Sequence, residues 1–109
     1  MSEYADLKRE NAKILRKLAK ELDLEQPRDI EFAAAFPTRA QAQKAADYIN
    51  KRAHSRAIRA QVVAAGDDFD CTLTINMVPT VNDITDIESV LAEATEHFDG
   101  YETAWDFPG

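Results

Sequence analysis

Four stretches of this chain repeat with a period of two residues, and two stretches between them repeat with a period near 3.6. That alternation restricts the possible folds more than any single residue does. Arg28 to Phe36 places Ile30, Phe32, Ala34 and Phe36 on one side, and Asp29, Glu31, Ala33 and Ala35 on the other. Ser55 to Ala64 sets Ile58, Ala60, Val62 and Ala64 against Arg59, Gln61 and Val63. Phe69 to Val78 alternates Cys71, Leu73, Ile75 and Met77 with Thr72, Thr74, Asn76 and Val78. Tyr101 to Phe107 alternates Tyr101, Thr103, Trp105 and Phe107 with Glu102, Ala104 and Asp106. A strand of this pattern buries one face and leaves the other to solvent.

The intervening segments read as helices. Thr38 with Gln41 predicts a capped helix to about Lys51 or Ala53, with Ala42, Ala45, Ala46 and Ile49 inward. Its small inward residues suit the phenylalanines of the first strand. Thr80 and Asp83 offer a cap for a helix whose core face is Ile84, Ile87, Val90, Leu91, Ala94 and Phe98. Gly100 follows it at the place where a helix stop tolerates positive φ. Gly66-Asp67-Asp68 is a turn signal, so the second and third strands form a hairpin.

The resulting order is βαββαβ, an α+β plan of the ferredoxin-like, split βαβ kind. Right-handed crossovers give one four-stranded antiparallel sheet of order 4-1-3-2, with the second and fourth strands at its edges. An additional helix precedes it over residues 3–22, with Leu7, Asn11, Ile14, Leu15, Leu18 and Leu22 on one side. Gln26-Pro27 ends that segment. The expectation is that this helix packs on the chain's own sheet. A coiled-coil pairing with Asn11 as register residue is the alternative. Residues 1–109 form a single domain, with the sheet-and-helix core over 28–107.

The charge is divided unevenly along the chain. All 13 Lys and Arg lie between Lys8 and Arg59; residues 1–64 carry 9 acids and sum to +4, whereas residues 65–109 carry 11 acids and no base. An acidic portion of that kind repels phosphate and attracts basic partners. No basic-aromatic motif stands on the strands, so direct nucleic-acid binding is not expected. No apolar run approaches the roughly 20 residues of a membrane span, and the amino terminus lacks a secretory plan. A cytoplasmic protein is the expectation.

Catalytic chemistry finds little footing. His54 lies among arginines and His97 near a helix end, neither with a neighbour at metal-pair spacing. The single cysteine, Cys71, alternates into an apolar face and reads as an inert core thiol. No Gly-rich phosphate loop is present. The expectation is a chain without enzymatic activity, metal or cofactor. Trp105 and Tyr101 are expected in the core, while the sheet face away from the helices collects small, polar and acidic residues. A second subunit, a partner or the leading helix could cover that face.

Met77-Val78-Pro79-Thr80, a helix, and then Asp99-Gly100-Tyr101-Glu102 together resemble the regulator of ribonuclease activity B family, the protein inhibitors of ribonuclease E and their relatives. Tyr101 stands where the family usually has tryptophan, and the long acidic tail of the characterised inhibitors is missing after Gly109. The resemblance spans nearly the whole chain. It implies a non-catalytic protein that binds a ribonuclease and modulates RNA turnover. Asp99, Gly100, Tyr101, Glu102 and Asp106, with Glu93 and Glu96 of the last helix, are then the expected partner-binding residues, meeting a basic protein surface. The alternative is a small-molecule-sensing or self-assembling domain, with homodimerisation through the leading helix or the open sheet face.

Overall fold

The computed structural model describes residues 3–52 and 60–107. The elements are α1 (Glu3–Leu18), β1 (Arg28–Phe36), α2 (Arg39–Arg52), β2 (Gln61–Ala65), β3 (Asp68–Met77), α3 (Val81–His97) and β4 (Glu102–Asp106). The four strands form one antiparallel sheet of order β2-β3-β1-β4, the expected order read from its other edge. Residues 55–59 of the expected second strand, and His54, lie outside the described residues.

The alternation in β1 and β3 becomes the core. Ile30, Phe32, Ala34 and Phe36 are buried and pair in register with Ile75, Leu73, Cys71 and Phe69. Ala42, Ala45, Ala46 and Ile49 of α2 are all buried with that face. Each fully buried Phe or Ile contributes about 1.5–3 kcal/mol relative to exposure. The hairpin closes through Gly66 and Asp67, with Ala65 opposite Asp68 and Gly66 at φ 65°. Only glycine adopts that angle without strain at the first position of so short a turn.

The two crossover helices, α2 and α3, each follow a capping threonine. Thr38 Oγ1 accepts from the Gln41 amide at 3.2 Å and donates to Gln41 Oε1 at 2.7 Å. The other end of the Gln41 side chain donates to the Phe98 carbonyl at 3.0 Å, which ties the start of α2 to the end of α3. Thr80 Oγ1 accepts from the Asp83 amide at 3.1 Å.

The leading helix departs from its expected length and place. It ends at Leu18, after which tighter i→i+3 bonds from Lys20 to Lys17 and from Glu21 to Leu18 close the last turn. The chain then leads Leu24 back against the core. α1 packs chiefly on α3 and meets the sheet through Trp105 of β4, instead of lying across the sheet. Asn11 is 2 % exposed and satisfies its amide inside the chain, which answers why a polar residue sits in the apolar stripe. It donates to Thr85 Oγ1 at 3.1 Å and to Glu88 Oε1 at 2.9 Å, and it accepts from Trp105 Nε1 at 2.8 Å. Three elements meet at one amide.

Candidate functional site: the open sheet face and its β4 margin

The strand register fixes the face turned away from the helices. Ala33 has Thr72 on one side and Ala104 on the other, a row of small residues across the sheet. One row further along, Ala35 lies between Asp70 and Glu102; in the opposite direction, Glu31 lies between Thr74 and Asp106. The face is therefore a low alanine floor with carboxylates at both ends. A depression of about 220 Å³ is lined by Ala33, Ala35, Asp70, Glu102, Thr103 and Ala104. Among the described strand residues the one Lys or Arg is Arg28, which shares the helix-side parity of Ile30 and stacks 5.3 Å from the Phe107 ring centroid. Carboxylates over small side chains, with no base among the described strand residues of this face, present negative potential on a surface low enough for long basic side chains to reach.

The segment joining α3 to β4 forms one margin of this face. α3 stops at the Phe98 cap, and the Gly100 amide donates to the Thr95 carbonyl at 2.8 Å. That bond is the six-residue closure of a left-handed helix ending. The left-handed residue is Asp99, at φ 59°, and not Gly100 as the sequence pattern suggested. Gly100 is required for space instead: a Cβ there would meet Thr95 Cγ2, Phe36 Cε2 at 2.7 Å and the Ala35 carbonyl oxygen at 2.8 Å. The chain passes so close to β1 because the Tyr101 amide donates to that same Ala35 carbonyl at 3.0 Å.

Tyr101 overturns a second expectation. It precedes β4 instead of opening it, and its side chain is 55 % exposed, not in the core. Gly100 is seated against Phe36, so the following residue cannot also occupy that inner space. The Asp68 carboxylate of β3, with the charges of Asp70 and Glu102 nearby, favours the protonated Tyr101 phenol and pushes it up to about 12. At neutral pH Tyr101 is a neutral phenol beside an acidic group. Trp105 does turn inward, half-buried, with its ring 5.8 Å from that of Phe107.

The seven residues expected in the partner site do not share one surface. Glu102 and Asp106 lie on the open sheet face, and Tyr101 and Asp99 at its margin, all exposed. Glu93 and Glu96 lie on α3 beside α1, lining a separate depression of about 180 Å³ with Tyr4 and Leu7. Gly100 shapes the margin and is half-buried. Asp68, Asp70 and Glu31 join Glu102 and Asp106 through register, which sequence spacing does not reveal. His97 is exposed with its ring 5.4 Å from that of Tyr48, and Cys71 is buried with its thiol pushed up to about 12 by desolvation. Among the described residues no three His, Cys, Asp or Glu side chains are grouped to hold a metal ion, and no helix is long and apolar enough to cross a membrane.

The family model described as regulator of ribonuclease activity B matches residues 8–106, from the second turn of α1 to the last residue of β4. No match is found among the curated proteins.

Proposed function

Because the chain belongs to the regulator of ribonuclease activity B family, we propose that it binds a ribonuclease of the ribonuclease E kind through the open sheet face and thereby modulates RNA turnover without catalysing a reaction. One observation supports the reading beyond family membership. Glu31, Asp70, Glu102 and Asp106 border an alanine floor on a face whose described strand residues include no base. A ribonuclease surface that handles RNA is basic, and opposite potentials accelerate encounter and fix orientation. Tyr101 adds an exposed aromatic ring at the margin, the kind of side chain that anchors protein interfaces. Asp99, Glu102 and Asp106 form the docking set with it; Glu93 and Glu96, on another surface, are accessory.

In this reading the core is ferredoxin-like and α1 is an appended layer of the same chain. That leaves the sheet face available to a partner or to a second copy. On this reading the protein works in the cytoplasm. Charge reversal tests the proposal: Glu102→Lys with Asp106→Lys should weaken capture of the ribonuclease at least about tenfold and flatten its salt dependence. Unchanged affinity in that variant removes the open face from the interface.

A further inference from the structure

The outward side of α1 is the chemical opposite of the open sheet face. Lys13, Arg16, Lys17 and Lys20 surround an open depression of about 500 Å³ with Glu10 and Ile14, giving a local charge of +3 in a chain of net charge −7. All four cations are exposed, and among the described residues none makes an ion pair; the salt bridge on this helix joins Arg9 to Asp6 at 3.3 Å. Ile14 is 38 % exposed beside them, so the depression has an apolar wall, extended by the aliphatic stems of the lysines.

We infer that this groove binds an acidic protein segment that carries aliphatic side chains, presented by a partner. Carboxylates of such a segment pair with Lys13, Lys17 and Lys20 and with the planar fork of Arg16, while an aliphatic side chain covers Ile14. Single-stranded nucleic acid is the competing polyanion. It fits less well, because no aromatic residue lines the groove to stack on bases, and a phosphate backbone leaves the isoleucine uncovered. The acidic sheet face and the basic groove share no lining residue, so one can be altered without touching the other. This inference does not depend on which protein docks at the sheet.

Fluorescence anisotropy with a labelled peptide of Glu and Leu at helical spacing tests it. Glutamine-for-glutamate and serine-for-leucine versions, together with an oligouridylate, serve as competitors. The acidic, leucine-bearing peptide should bind, and its affinity should fall about tenfold in Lys13→Glu with Lys17→Glu. It should fall again as salt rises from about 50 to about 300 mM, and Ile14→Ser should weaken it further. Glu102→Lys with Asp106→Lys should leave it unchanged, which separates this site from the ribonuclease surface. An unaltered Trp105 emission spectrum shows that each variant keeps α1 docked. The inference is overturned if the peptide does not bind, if the lysine reversals leave its affinity within about twofold, or if the glutamine peptide or the oligouridylate binds more tightly.

Discussion

Replacing Gly100 by alanine tests the reason given for this glycine, because close approach and positive φ predict different outcomes. The added Cβ would meet Thr95 Cγ2, lie 2.7 Å from Phe36 Cε2, and lie 2.8 Å from the Ala35 carbonyl oxygen. Phe36 is fully buried, and the Ala35 carbonyl is held by the Tyr101 amide at 3.0 Å, so neither can retreat without disturbing β1. Overpacking of this kind costs about 1–3 kcal/mol, against which alanine recovers about 0.4–1 kcal/mol of unfolded-chain entropy. The net loss should be about 1–2 kcal/mol, or roughly 5–15 °C in melting temperature for a domain of this size. Urea titration followed by Trp105 fluorescence measures it directly. Thr95→Ser supplies the control: it removes Cγ2 and keeps the hydroxyl bonds to the carbonyls of Leu91 at 2.6 Å and Ala92 at 3.1 Å. In that background Gly100→Ala should lose less, with a coupling of about 0.5 kcal/mol or more. Asp99→Gly, by contrast, should be neutral or stabilising, since Asp99 holds the left-handed angle. A loss below about 0.5 kcal/mol for Gly100→Ala, or the same loss in both backgrounds, would refute the steric explanation.

Two further outcomes follow from buried groups. Burial raises the Glu88 carboxyl above its ordinary value, opposed by the bond from Asn11 and assisted by the charge of Glu10. Its folded-state pKa is thus the higher one, so its stabilising share is complete below the unfolded value and is lost as pH rises through the folded value. Glu88→Gln should therefore melt above the parent at about pH 8, and the gap should close toward about pH 4; a gap that widens on acidification contradicts the assignment. For Cys71, buried and with its thiol pushed up to about 12, a thiol reagent at about pH 8 should react only after denaturant is added. Rapid labelling of the native protein would show that the β3 core face is open.

The unexpected features of the site share a cause. Asn11, the Thr85–Glu88 pair and Trp105 are far apart in the chain, and Asn11 alone invites a reading as a register residue, yet they form one hydrogen-bonded group where α1, α3 and β4 meet. Nothing in their spacing marks them, because a polar residue in an apolar stripe does not reveal whether its partner lies in another chain or in its own. Glu88 illustrates this: counted with the acids of the last helix, it is in fact 7 % exposed. The partner-site acids divided for the same reason, since Glu93 and Glu96 follow the helical period onto the α1 side whereas Glu102 and Asp106 follow the strand period onto the open face.

What the sequence determined by itself is periodic: which segments are strands or helices, which residues of the two central strands point inward, and where threonines start helices. These properties depend on neighbours within about four residues, whose geometry the backbone fixes. The tertiary structure alone decided that α1 lies on α3, that Asp99 takes the left-handed angle, that Tyr101 is exposed, and that acids from three strands gather around an alanine floor. Each of those depends on groups distant in sequence competing for one volume. Phe36 and the Ala35 carbonyl leave room for nothing larger than glycine at position 100, and the path of the last strand follows from that.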